Sequence, residues 1–101
     1  MEYTYAIVVS VTEMPVSALM KVKKLTHLSL ADIKARVASR SPLYECNCSD
    51  ECGMVLLLAL FNALDSEGIE PVFLDCGESA PIQYLRNALE SYRRISEQEN
   101  D

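Results

Sequence analysis

Met54 to Phe61 is a run of eight consecutive apolar residues, and it limits the fold of this chain more than any other feature of the sequence. Ser49, ahead of the run, is a candidate helix N-cap, and Gly68, beyond it, is a usual residue at a helix end. The pattern therefore predicts a helix that is apolar nearly all the way round, which must be covered on more than one side. The run is too short to cross a bilayer, so no membrane is expected.

The segments on either side of this helix predict strands and further helices. The predicted elements, in chain order, are a strand from Tyr3 to Val11, a helix from Pro15, a helix capped by Ser29, a strand from Leu43 to Cys48, the apolar helix, a strand from Val72 to Cys76 and a helix over 79–98. Because half of the 101 residues are apolar, we expect one domain over 1–101.

The element order β-α-α-β-α-β-α favours an α+β fold of the split β-α-β type. The helix between the second and third strands makes a crossover, so those two strands should be parallel. The first strand is apolar almost without interruption, as in a strand buried on both faces, and we expect it at the centre of a three-stranded sheet. The helix over 79–98 should cover the apolar helix through residues at heptad-like spacing, which are Ile82, Leu85, Leu89 and Tyr92.

The segment from Leu19 to Lys34 reads LMKVKKLTHLSLADIK. It resembles the signature of the C-terminal domain of the ribosomal stalk protein, in which a basic helix, a Thr-Gly-Leu-Gly-Leu turn and a lysine-bearing helix follow one another. His27 and Ser29 stand where that signature has its glycines. The resemblance covers residues 7–75 and implies a split β-α-β fold, which is similar to that of the adaptor that delivers substrates to the Clp protease.

In the stalk family, basic residues of the first two helices contact translational GTPases. The resemblance implies this role for Lys23 and Lys34. It thus implies one hypothesis for the function, a stalk-like or adaptor-like module that docks a translation factor or a protease through a basic helical face. The lysines of that face are Lys21, Lys23, Lys24 and Lys34.

Charge is distributed unevenly along the chain, which has a net charge of −6. Residues 1–43 carry six basic and three acidic residues, whereas residues 44–101 carry three basic and twelve acidic ones. An acidic surface repels phosphate backbones, so we expect a basic protein rather than nucleic acid as the partner. The carboxylates predicted to gather near the carboxyl ends of the parallel strands are Glu45, Asp50, Glu51, Asp75 and Glu78.

These features favour a non-enzymatic, cytoplasmic protein-binding domain of the inhibitor or immunity type, which neutralises a basic toxin or nuclease by presenting carboxylates to it. Acidity that serves only solubility is the alternative. His27 is the single histidine and the three glycines are isolated, so neither a catalytic constellation nor a phosphate-binding loop is predicted. We expect no cofactor, and the acidic start of the chain does not resemble a secretory signal.

The four cysteines give a third hypothesis, a metal or redox site. Cys46 and Cys48 alternate along a predicted strand, so their thiols share a face, while Cys52 and Cys76 are expected at the same end of the sheet. Four thiols can hold zinc, but C-x-C-x₃-C is not a usual zinc pattern. Cysteines that are simply buried or reduced are the alternative reading.

Overall fold

Four strands and four helices make up the part of the chain that the computed structural model describes, which is residues 3–99, with side chains for residues 3–92. Residues 1–2 and 100–101 of the expected domain lie outside the described residues. The elements are β1 (Thr4–Val9), α1 (Val16–Thr26), α2 (Leu30–Ser39), β2 (Tyr44–Asn47), α3 (Glu51–Ser66), β3 (Pro71–Asp75), β4 (Glu78–Ala80) and α4 (Gln83–Glu99). The described chain is therefore an α+β domain, as the sequence predicts.

The strand order across the sheet is β2-β1-β3-β4, and every neighbouring pair is antiparallel. Because β1 lies between β2 and β3 and runs against both, those two strands are parallel to each other, with α3 between them in the chain. The central place of β1 is the predicted one. The expected number of three strands is wrong, since β4 adds a fourth at the edge beside β3.

A two-residue turn accounts for the additional strand. Cys76 and Gly77 have φ of 53° and 84°, and two positive φ values in succession are typical of a type I′ hairpin turn. The sequence-based reading instead used Ser79 and Pro81 as the start of a helix. Ser79 lies in β4, and α4 begins only at Gln83.

Two helix starts test the predicted caps. The Ser29 hydroxyl accepts a hydrogen bond of 3.1 Å from the Asp32 backbone N–H, which confirms the predicted start of α2. The cap of α3 is Asp50 rather than Ser49, because its carboxylate accepts from the Gly53 N–H at 2.9 Å. A Cβ on Gly53 would lie 2.5 Å from that carboxylate, so glycine is required for this tight start.

Helix α3 lies at the centre of the core. Its buried side chains contact the sheet, and its other side is covered by α4, whose Leu85 and Leu89 are buried in the same cluster. Ile82 and Tyr92 pack partly buried against that cluster, and the Tyr92 hydroxyl donates to the Cys48 carbonyl at 3.1 Å. The apolar helix is thus covered on two sides, as its composition requires.

The two faces of the sheet differ in what they contact. Residues paired across the strands share a face, and on one face Ile7 and Phe73 join the core beneath α3; we call this the covered face. The residues of opposite parity form the open face, on which Val8, Val72 and Leu74 are half-buried and lie outside the core cluster. The expectation that β1 is buried on both faces holds at Ala6, which is buried on the open face, and fails at Val8, which is half-buried there because every helix that contributes to the core lies on the other side.

No helix among the described residues is both long and apolar enough to cross a membrane.

Candidate functional site

Carboxylates are concentrated where the parallel strands end. Asp75 closes β3 and pairs across the hairpin with Glu78 of β4, while Asp50 and Glu51 begin α3 just after β2. Tyr5 of β1 lies between the two groups, because it pairs with Cys46 on one side and with Asp75 on the other. We call Asp50, Glu51, Asp75 and Glu78 the acidic end.

The negative charge of the acidic end acts on neighbouring tyrosines. The pKa of Tyr5 is raised, first by partial burial of the ring and then by the Asp75 carboxylate. Burial and the Asp50 carboxylate raise the pKa of Tyr44 in the same way. Asp50 is partly committed to the fold, since it caps α3.

Glu45, the remaining predicted acidic residue, is placed apart from the hairpin carboxylates. It lies on β2 opposite Ala6, in the row that continues through Leu74 to Ser79. Because that row alternates with the row of Asp75 and Glu78, Glu45 projects from the open face and those two from the covered side. The sheet register therefore does not bring all five predicted carboxylates to one surface.

The carboxylates of Glu51, Asp75 and Glu78 make no ion pair and no side-chain hydrogen bond with the described residues. Glu67 gives the contrast: it accepts from the Ser17 hydroxyl at 2.9 Å and pairs with the Lys21 ammonium at 2.8 Å. These contacts lower the pKa of Glu67. The sequence has no lysine or arginine from 41 to 85 that could neutralise the acidic end locally.

The four predicted basic residues differ in their surroundings. Lys21 is engaged by Glu67, whereas Lys23 and Lys24 are exposed beside Met20 and His27 around a shallow depression on α1. Lys34 lines a different groove, whose other walls come from the loop before α1 and from apolar residues of both helices. Lys34 therefore lies on α2 beside that groove, whereas Lys23 and Lys24 border the depression on α1.

Two exposed apolar residues accompany the α1 lysines, and the sequence reading missed them. Val16 is 73% exposed and Met20 is 50% exposed. They are four residues apart, so they lie on the same side of α1, and Lys23 continues that side. Helical periodicity could have identified them, because Val16 and Met20 lie on a different side of α1 from Leu19 and Val22, which are buried.

The cysteines are reduced and differ in environment. Cys46 is buried on the covered face, Cys48 is half-buried, and Cys52 and Cys76 are exposed. Among the residues that the structure describes, no group of three or more histidine, cysteine or acidic side chains could hold a metal ion. Burial, followed by the charges of Asp50, Cys48 and Glu45, raises the pKa of the Cys46 thiol to about 11. A thiol in that state is neither a ready metal ligand nor a nucleophile near neutral pH.

No family model, no curated protein and no solved structure matches this chain. The resemblance of residues 7–75 to the ribosomal stalk domain accordingly stays an expectation from the sequence.

Proposed function

We propose that this protein is a non-catalytic binding domain that docks a basic protein through its acidic end, as an inhibitor or immunity-type protein does. The observation that supports the proposal is a set of carboxylates that have no ion pair or side-chain hydrogen bond with the described residues: Glu51, Asp75 and Glu78. Exposed like charges with no compensating cation raise the local concentration of a cationic partner and accelerate its association.

The placement of these groups also suits docking. They extend from two elements of regular structure, α3 and the β3–β4 hairpin, so little backbone order has to be created on binding. Lys21, by contrast, already has a partner within the chain, which reduces the charge that the basic helices offer. The balance favours the acidic end.

A second function is favoured by the exposed pair Val16 and Met20 beside Lys23 and Lys24. Such a mixture of apolar and cationic side chains fits an acidic partner, and it agrees with the stalk-like alternative from the sequence. The two functions use opposite charges, so charge reversal separates them.

The experiment uses Glu51→Lys with Glu78→Lys as one variant and Lys23→Glu with Lys24→Glu as its matched control. All four side chains are exposed, and none is a helix cap. Immobilised wild-type and variant proteins are used to capture partners from the source cell, and the partner is then produced for kinetic measurement at two salt concentrations.

We expect a basic partner whose association with the acidic-end variant is slower by about tenfold or more at low salt, with a smaller difference at high salt. The lysine variant should bind as the wild type does. Loss of binding on the lysine changes alone would move the function to the side of α1 that carries Met20, Lys23 and Lys24.

A further inference from the structure

The open face of the sheet carries aliphatic side chains that no helix covers within the described residues. β1 contributes the half-buried Val8 and the small Ala6, which its neighbours on the sheet already bury, and β3 contributes the half-buried Val72 and Leu74. The register sets Ala6 beside Leu74 and Val8 beside Val72, so the four form one continuous patch across the two inner strands. Val8, Val72 and Leu74 take no part in the core on the other side.

The border of this patch is acidic. Glu45 lies beside Ala6 in the same row, and the exposed Glu70 immediately precedes β3. Asn47 and Ser79 complete the border on the two edge strands, and none of the four strands contains a lysine or arginine. Neither Glu45 nor Glu70 makes an ion pair with a described residue.

The charged residues at this border are Glu45 and Glu70, with Arg36 beside the same surface depression as Glu45, so the border keeps an excess of negative charge that selects its occupant. A second copy of this chain would bring one acidic border against another, and the net charge of −6 on each copy adds to that repulsion. An anionic lipid surface is excluded by the same repulsion. An amphipathic segment with aliphatic residues on one side and Lys or Arg along its border is complementary both to the aliphatic patch and to the carboxylates beside it.

We propose that the open face binds a basic amphipathic helix of a partner protein. The covered face already packs against a helix in the same way, because α3 lies against the same strands. Its buried residues recur every three or four positions, and they are Met54, Leu57, Leu60 and Leu64. This proposal rests on the proposed function for the positive charge of the partner, and it adds where the apolar part of that partner lies.

The test measures binding of a helical peptide of about 18 residues, built from Leu and Lys so that Leu occupies one side. Titration is followed by fluorescence anisotropy and by methyl NMR of the full chain. We expect the methyl signals of Ala6, Val8, Val72 and Leu74 to shift. The double variant Val8→Thr with Leu74→Thr should weaken binding about tenfold or more, because it replaces aliphatic surface with hydroxyl groups while keeping strand-compatible residues.

Val16→Thr is the matched control, since it removes an exposed aliphatic group from α1 and should leave the affinity unchanged. Each variant is compared with the wild type in melting temperature, so that loss of fold is recognised. A Ser–Lys peptide of the same charge should bind more weakly than the Leu–Lys peptide by a similar factor.

Methyl shifts confined to α1 would overturn the proposal, as would an affinity unaffected by the threonine pair. Amide shifts confined to the edge strands β2 or β4 would indicate strand addition and would also overturn it. Self-association of the free chain through the patch would overturn it as well. If the natural partner is lost on Glu51→Lys with Glu78→Lys but retained on the threonine pair, the proposed function stands and this inference fails. If the natural partner is instead lost on the threonine pair and retained on Glu51→Lys with Glu78→Lys, the open face stands as the binding site and the proposed function fails.

Discussion

Along the two inner strands, β1 and β3, the two faces of the sheet have nearly the same apolar character, yet they differ in their surroundings. Phe73 on the covered face is 1% exposed beneath α3, and its neighbour Leu74 on the open face is half-buried with no helix above it. Both faces are aliphatic in β1, where Ala6 and Val8 alternate with Ile7 and Val9. An apolar strand therefore shows that neither face is strongly polar, and it does not show that both faces are covered.

Truncation of Phe73 gives the largest expected difference between the faces. Phe73→Ala leaves a cavity beneath α3 and should cost about 4 kcal/mol in the free energy of unfolding, whereas Leu74→Ala should cost about 1 kcal/mol. Urea unfolding of the two variants measures both values. Equal losses in the two variants would contradict the difference between the faces, because they would mean that the open face is also packed against another surface in solution.

Alkaline pH should lower the free energy of unfolding through Cys46, whose thiol is buried on the covered face. Its pKa is raised to about 11 in the folded chain, against an ordinary value of 9.0. Below pH 9 the thiol is protonated in both states, so its contribution to stability is fully present. As the pH rises towards 11 the unfolded thiol ionises first, and that contribution is lost.

Urea unfolding at pH 8 and pH 10.5 checks this expectation. Cys46→Ala should lose less stability over that interval than the wild type does, while Cys76→Ala, which alters an exposed thiol, should lose as much as the wild type. Tyr5 and Tyr44, whose pKa values are also raised, act in the same direction and remain in every variant. Parallel pH dependence in all three proteins would contradict a buried Cys46.

The smallest effect is expected for Val72→Thr on the open face. The substitution preserves the branched shape that suits a strand, and the hydroxyl can reach water, so the unfolding free energy should change by about 0.5 kcal/mol or less. Thermal unfolding measures the change. A loss of several kcal/mol would show that Val72 is desolvated in solution and would assign a cover to the open face.

The predictions from sequence were most accurate where local chemistry decides the structure. Ser29 followed by Asp32 identified the start of α2, and the apolar run in α3 required a cover that Leu85 and Leu89 supply. Caps and apolar periodicity operate within a few residues, so they can be read without knowing the rest of the fold. The β4 hairpin had such a local signal in Gly77, but the competing helix-start pattern of Ser79 and Pro81 concealed it.

The candidate surfaces were harder to predict, because they depend on register and on which helix covers which face. The sequence by itself determined an acidic segment without cations, a basic stretch around α1 and a first strand fit for the middle of a sheet. Only the tertiary structure decided that Glu45 projects from the opposite face to Asp75 and Glu78, and that Glu67 neutralises Lys21. A shift of one residue in strand pairing reverses the face of every side chain, and a salt bridge between residues 46 positions apart needs the whole fold to form.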